Sequence, residues 1–334
     1  MTKHYTIPVF IPELACLFQC VFCNQQKISG RLKVPSDEEI IESIEAHLNS
    51  FTKKERIVEI GFFGGSFTGL TLEEQEHFLK LAKPYILKNE IQGIRLSTRP
   101  DYISEEILDL LSRNHVSTIE LGSQSLDDEV LKASFRGHTA EQTAKAAEMI
   151  LSKNFKLGLQ MMIGLPGDTL EKSIFTAKKI IELGAHSTRI YPTVVIRDTG
   201  LHQLYKQGKF EPLSLEDAVN WTKVILPIFE EANIEVLRVG LHPSEGLLDG
   251  SELVAGPFHP SFKELVLTEI WADLLKPLLF ESDARTIEIT VPKKELNYAI
   301  GYQGKNKIML LEQFQTVHFV PDEGITQRNS FFHR

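Results

Sequence analysis

A chain of 334 residues, 42% hydrophobic and 24% charged, is long enough for a substantial buried core and has an ordinary globular composition. Collagen-like, coiled-coil and largely disordered architectures are thereby excluded. Its 36 basic and 45 acidic residues leave a net charge of −9, so no chain-wide positive field exists to hold nucleic acid and any such contact must be local.

Short β-branched or apolar runs alternate with longer helical patterns, the signature of βα units around a parallel sheet. Strands are predicted at residues 5–10, 58–63, 93–97, 117–121, 157–162 and 187–191, and helices at 37–49, 72–87, 105–113, 140–153, 170–183 and 215–232. Helix-start signals support several of these: Ser36 before Asp37 and Glu38, Thr139 with Gln142, and Ser214 with Asp217. A seventh strand is expected at 235–239, then a Gly/Pro/His-rich loop over 240–260 and a helix over 262–280. The pattern changes after residue 281: a strand at 286–291, largely helix over 294–311 and a strand at 316–320. This predicts two units, 1–280 and 281–334. No apolar run reaches the roughly 20 residues of a membrane span and no secretory pattern opens the chain, so a cytoplasmic location is expected.

All three cysteines, Cys16, Cys20 and Cys23, fall within eight residues, which excludes a disulfide framework. The spacing is C-x-x-x-C-x-F-C. Three thiolates in one loop can hold three irons of a [4Fe–4S] cluster and leave the fourth iron open for chemistry. A zinc site completed by a histidine such as His4 is the alternative. A simple electron-transfer ferredoxin would need a fourth cysteine, and there is none.

This loop resembles the signature of the radical S-adenosylmethionine enzymes, and the resemblance continues downstream in order. Gly64-Gly65-Ser66 matches a Gly-Gly-Glu-type segment, with Ser66 where many members carry Glu. The segments Ser97-Thr98-Arg99-Pro100-Asp101-Tyr102, Glu120-Leu121-Gly122-Ser123-Gln124-Ser125, Arg136-Gly137-His138-Thr139 and 190–201 are similar to the radical core of the Elongator catalytic subunits, which modify the tRNA wobble uridine. A more distant similarity is to the oxygen-independent coproporphyrinogen oxidases. The resemblance implies a partial (β/α)6-type TIM barrel, α/β in class, with a [4Fe–4S] cluster on Cys16, Cys20 and Cys23 and S-adenosylmethionine as cofactors. It also implies an electron donor such as flavodoxin or ferredoxin. By the same resemblance Phe22 lies beside the adenine, Gly64, Gly65 and Ser66 face the methionine, and Gln124 and Arg136 contact the cofactor. Ser97 and Gln160 stand where coproporphyrinogen oxidases carry Glu and Asp. Two departures are visible: the cysteine spacing is shorter than in the Elongator subunits, and no Gly-rich acetyl-coenzyme A loop follows residue 215, so no acetyltransferase domain is expected.

His242, Glu245 and His259 punctuate the 240–260 loop and are candidates to meet a substrate over the barrel mouth. In the tail, Gly301-Tyr302-Gln303-Gly304 followed by Lys305 and Lys307 is similar to the G-x-x-G loop of the KH RNA-binding module. It makes tRNA a candidate partner of a small KH-like appendage; a structural cap using the glycines for a tight turn is the alternative. Three functions follow: a radical enzyme acting on tRNA, a radical enzyme acting on a small metabolite or porphyrin-like molecule, and a non-catalytic RNA-binding protein with a structural metal.

Overall fold

The computed structural model describes residues 3–11, 20–24, 34–51, 56–281, 285–328 and 331–333. Cys16 lies outside them. Before residue 240 the described chain forms strands β1 (Lys3–Ile11), β2 (Arg56–Gly64), β3 (Gly93–Thr98), β4 (Val116–Gln124), β5 (Lys156–Ile163), β6 (Ser187–Pro192), β7 (Val195–Ile196) and β8 (Glu235–Val239). All except the two-residue β7 join one sheet in the order β1-β2-β3-β4-β5-β6-β8, and every neighbouring pair is parallel. The expected six-unit barrel is therefore present with the seventh strand added.

The connecting helices span Asp37–Ser50, Leu72–Leu87, Glu105–Arg113, Ala140–Ser152, Leu170–Glu182 and Leu215–Glu231. Each starts on a Ser or Thr whose hydroxyl accepts a backbone N–H three residues on: Ser36, Thr71, Ser104, Thr139, Thr169 and Ser214. A cap of this kind is worth about 1 kcal/mol, so helix starts are set locally. Under these helices lies the main core, to which the strands contribute alternate residues: Ile7 and Val9, Val58, Ile60 and Phe62, Ile94 and Leu96, Ile119 and Leu121, Leu157 and Leu159, and Ile190.

The intervening residues face the other way, and there polar and charged side chains stand among apolar ones. Pro8, Phe63, Ser97, Gln124, Gln160, Arg189 and Arg238, from seven different strands, line a single cavity, so the sheet curls around it. Since β1 and β8 do not pair, the barrel stays open along one side.

Deeper on this concave face runs a ladder of charges. Glu59 accepts from Arg95 Nε at 2.9 Å and Nη2 at 2.7 Å, and the same Arg95 reaches Glu120 through Nη1 at 3.0 Å. Glu120 in turn takes Arg189 Nε at 2.6 Å and Nη2 at 3.0 Å, and Gln160 Nε2 at 3.1 Å. His4 Nε2 and Ser117 Oγ close the far end on Glu59 at 2.9 and 3.1 Å. Burial works to raise the Glu120 carboxyl, but the hydrogen bonds and charge of Arg189, with Arg95 and Gln160, overcome it and hold the group below the usual carboxylate range.

After β8, β9 (Leu253–Ala255) pairs antiparallel with β7. The helix expected over 262–280 ends at Leu275 and resumes as Leu278–Glu281, because Pro277 cannot continue the hydrogen-bond ladder. Beyond it, β10 (Thr286–Pro292) and β11 (Thr316–Asp322) are parallel, and β12 (Phe332–His333) joins antiparallel. A second core of Ile287, Ile289, Val291, Ala299, Leu310 and Phe314 packs against Trp271, Leu275 and Leu278, so the helix Phe262–Leu275 serves both cores. The helical stretch expected over 294–311 is broken into Leu296–Ile300 and Lys305–Leu311 by Gly301 (φ 89°), Gln303 (φ 53°) and Gly304 (φ 78°).

The ladder generates a prediction. Glu120→Gln leaves Arg189 without a carboxylate and Arg95 with Glu59 alone, and removing one member of a buried ion pair costs about 3–5 kcal/mol. Urea unfolding at neutral pH should show that loss; a change below about 1 kcal/mol would mean that Glu120 does not hold the interior together.

Candidate active site

The site sits at the C-terminal ends of the strands. The Gly65 N–H donates to the Ile11 carbonyl at 2.9 Å, joining the ends of β1 and β2. Gly64 has φ 111°, and a Cβ there would lie 2.5 Å from the Ile11 oxygen. Only glycine permits this closure.

Cys20 and Cys23 lie on one tight turn, closed by the Cys23 N–H on the Cys20 carbonyl at 3.0 Å. That turn is clamped from both sides: the Val21 N–H donates to the Ser134 carbonyl, and the Val21 carbonyl accepts from the Leu201 N–H. Its apolar side, with Val21 and Phe22, packs on Val130, Leu165, Val195 and Leu201. Two guanidinium groups face the Cys20 sulfur. Arg136 Nη1 is 3.0 Å from it and Arg99 Nη1 is 3.8 Å away. Arg99 is itself fixed by a bidentate pair with Asp101, both contacts at 2.9 Å, and braces Arg136 by donating to its carbonyl at 2.6 Å. Positive charge concentrated here suits a metal-bound sulfur, which carries negative charge.

Strand β4 ends in a register shift between Leu121 and Gln124, and Gln124 has φ 62°. Such an irregularity re-aims a side chain. Gln124 Oε1 is buried without a hydrogen-bond partner, and so is Arg136 Nε. The two Nη groups of Arg136 are engaged by Cys20 and the Gly122 carbonyl, which leaves Nε as its uncommitted donor. One pocket gathers Cys20 and Cys23 with Gly64, Gly65 and Ser66, and adds Ser97, Gln124, Arg136 and Gln160. These come from the cysteine turn, four strands and the loop after β4. Thr98, Arg99 and Gly122 also line it; sequence reasoning quoted all three within matching segments but assigned them no role.

Phe22 does not line this pocket. It borders the adjoining cavity of about 440 Å³, which shares Cys23, Gly64, Ser97, Gln124 and Gln160 with the pocket and extends to Arg189, Tyr191, Arg238 and His242. Burial pushes the Tyr191 phenol up, so it stays protonated at neutral pH. Burial, then the Arg238 charge, pushes the His242 imidazole down.

Several sequence candidates fall elsewhere. His4 pairs with Glu59 at 2.9 Å, seven residues before the end of β1; at about 3.3 Å per residue that is about 23 Å from the cysteine end. It cannot complete a zinc site there. Glu245 is exposed at the start of a short helix. His259 accepts from the Ser261 N–H at 3.0 Å and meets the Tyr302 ring edge-to-face at 5.5 Å, away from the cavity. Around the Gly301–Gly304 turn, the Tyr302 N–H donates to Thr268 Oγ1 at 2.8 Å and Lys305 pairs with Glu269, while Gln303 and Lys307 are exposed.

His138, beside the pocket, is held down to about 3 by burial first and then by the Arg136 and Arg99 charges. Its folded value lies below the ordinary 6.5, so the unfolded chain binds the extra proton and stability falls as pH drops below 6.5. The slope contributed is up to about 1.4 kcal/mol per pH unit. Urea unfolding of the metal-free protein at pH 7, 6 and 5 should show this slope reduced in His138→Asn; an equal slope in both proteins would remove His138 as its source.

Comparison with known proteins matches this architecture. The family model described as Radical SAM superfamily covers residues 11–180, and the Radical_SAM C-terminal domain covers 185–272. The tRNA uridine(34) acetyltransferase of Methanocaldococcus infernus is 29% identical over 196 residues, covering 51% of this chain and 36% of that protein. Elongator complex protein 3 of Schizosaccharomyces pombe is 30% identical over 168 residues, 48% of this chain and 30% of that protein. The chain thus spans about a third of the length of these relatives. The solved structure of the archaeal Methanocaldococcus infernus Elp3 with an N-terminal deletion superposes with a TM-score of 0.64 at 20% identity, covering 85% of this chain and 65% of that one, a likeness of fold. With its family model matching over half its length, on a parallel barrel whose strand ends gather Cys20, Cys23, Gly64 and Gly65, the chain belongs to the radical SAM superfamily.

Proposed function

We propose that this enzyme holds a [4Fe–4S] cluster on Cys16, Cys20 and Cys23, binds S-adenosylmethionine in the adjoining pocket, cleaves it reductively, and acts on tRNA in the cytoplasm. The observation that carries the reading is the convergence of Cys20, Cys23, Gly64, Gly65, Gln124 and Arg136 in one pocket. The residues fit the cofactors. Three thiolates would leave one iron open. Gln124 Oε1 and Arg136 Nε are buried without partners, and an unsatisfied buried group costs about 1–3 kcal/mol that a polar ligand relieves. Gly64 and Gly65 bring bare backbone to the pocket wall.

When bound, the pair of cofactors supplies a 5′-deoxyadenosyl radical able to take a hydrogen atom. The chain's part is positioning. The clamped turn fixes Cys20 and Cys23, Gln124 and Arg136 would hold the methionine end, and Ser97 and Gln160 would add neutral hydrogen bonds. Ser66 offers a hydroxyl where a carboxylate would bring charge. Phe22, with its edge in the larger cavity, would border the adenine side. A flavodoxin or ferredoxin would supply the electron.

Anaerobic reconstitution, followed by iron spectroscopy and measurement of 5′-deoxyadenosine, tests the reading. Cys16→Ala, Cys20→Ala and Cys23→Ala should each abolish cofactor cleavage while preserving most of the fold, because the turn lies outside the inter-strand core. Arg136→Ala should retain iron and weaken S-adenosylmethionine binding by about 1.5–3 kcal/mol, the range for a hydrogen bond to a charged group. Iron-loaded, folded protein that yields no product would overturn the proposal. Zinc in protein purified without oxygen would favour a structural metal.

Support for tRNA comes from the relatives, one of whose names is a tRNA uridine(34) acetyltransferase, and from the turn at Gly301, Tyr302, Gln303 and Gly304 between two helices. With residues 281–334 taken as a KH-like unit, Gln303 and Lys307 are its exposed contacts and Lys305 is shared with Glu269. Replacing Lys305 and Lys307 with Ala should weaken tRNA binding across sequences and lower its salt slope by about 1 per lost phosphate contact. Titrations at several salt concentrations that give equal slopes for both proteins would leave the tail a structural cap.

A further inference from the structure

Arg238 is a charge on the cavity wall that the ladder does not neutralise. Glu59 and Glu120 balance Arg95 and Arg189 within the ladder. Arg238, on the last strand, reaches only neutral acceptors: Nε donates to the Gly240 carbonyl at 3.1 Å, and Nη2 meets the Leu241 carbonyl at 3.3 Å and His242 Nδ1 at 3.4 Å. Among the described residues no carboxylate pairs with it, and Nη1 makes no hydrogen bond. These contacts fix the guanidinium in a half-buried position on the cavity wall. Burial, and then the neighbouring Arg189 charge, work against its positive form. An anion placed there would offset both penalties.

The rest of the cavity says what carries that anion. Phe22, Phe63, Met162 and Leu247 give the cavity an apolar lining, Ser97, Arg189 and Tyr191 add polar groups, and Gln124 and Gln160 are shared with the cofactor pocket. A neutral nucleobase swung in from RNA would leave Arg238 uncompensated. A phosphodiester, joined to the chain on both sides, does not suit a recess of about 440 Å³ with apolar walls. A small molecule with one anionic end and an apolar body matches Arg238 and the apolar part of the lining.

We infer that this cavity binds a small organic acid, its carboxylate held by Arg238 and its apolar body laid along Phe63 and Met162 toward Gln124. A guanidinium fork matches a carboxylate bidentately. This goes beyond the tRNA reading, and draws on the cofactor proposal only for what occupies the neighbouring pocket.

The test uses the anaerobically reconstituted enzyme and three probes: 3-phenylpropionate, its neutral amide, and phenyl phosphate, each titrated calorimetrically, with S-adenosylmethionine titrated separately. The acid should bind wild type at least tenfold more tightly than the amide, a comparison that needs no variant. Arg238→Gln should weaken the acid at least tenfold while leaving the amide unchanged, and Arg238→Lys should recover part of the loss. Equal affinities for acid and amide, no binding of the acid at millimolar concentration, or an acid affinity unchanged in Arg238→Gln would overturn the inference. Tighter binding of phenyl phosphate than of the acid would overturn the carboxylate assignment. Failure of S-adenosylmethionine to bind would instead sink the cofactor proposal, and the two results are read independently.

Discussion

Four paired charges, the buried Glu59, Arg95 and Glu120 and the half-buried Arg189, decide what the interior of this barrel can be. A closed barrel fills its centre with layers of apolar side chains. Here the sheet is open and the layer is ionic, so each member must find its partner or the interior is penalised by several kcal/mol. Because the partners sit on β2, β3, β4 and β6, pairing them correctly also ties the registers of the strands together. A one-residue slip would turn the charges into the apolar layer beneath the helices. The ladder thus closes the barrel bottom and leaves the volume above it for ligands.

Above the ladder, three departures from regular backbone shape the site. Gly64 and Gln124 both have positive φ, and so does Phe135, an exposed aromatic immediately before Arg136. A bulky residue in that conformation costs on the order of 1–3 kcal/mol. The return is the placement of Arg136, which meets Cys20, Gly122 and, through its carbonyl, Arg99. The cysteine turn, the glycine closure and the arginines form one mutually braced unit, which fits a site that must hold its cofactors in fixed geometry.

The C-terminal unit is braced as well. Arg328 bridges Glu230 on the Leu215–Glu231 helix and Glu295, which also accepts from the Trp271 indole at 2.8 Å. The Gly301–Gly304 turn rests on Thr268, so the helix Phe262–Leu275 couples the tail to the barrel. Any RNA bound at that turn would act on an element packed against the main core.

Local order was legible in the sequence because its causes are local. Strand alternation, helix periodicity and the Ser and Thr caps act within a few residues, and the helices Leu72–Leu87 and Glu105–Arg113 fall at their expected bounds. The cysteine spacing and Gly64-Gly65 were legible for the same reason. The turn at Gly301–Gly304 was legible in its two glycines, read as a G-x-x-G loop, although the apolar periodicity of 294–311 runs through it. Short elements such as β7, β9 and the helix Asp128–Ala133 carry too few residues to show a period. What tertiary structure alone decided is which charges meet. Arg95 finds Glu59 across 36 residues, Arg189 finds Glu120 across 69, and Arg136 reaches Cys20 across 116. Those partners are chosen by strand order and register, and the lack of a carboxylate partner for Arg238 became visible only when the charges of the ladder had been paired in space.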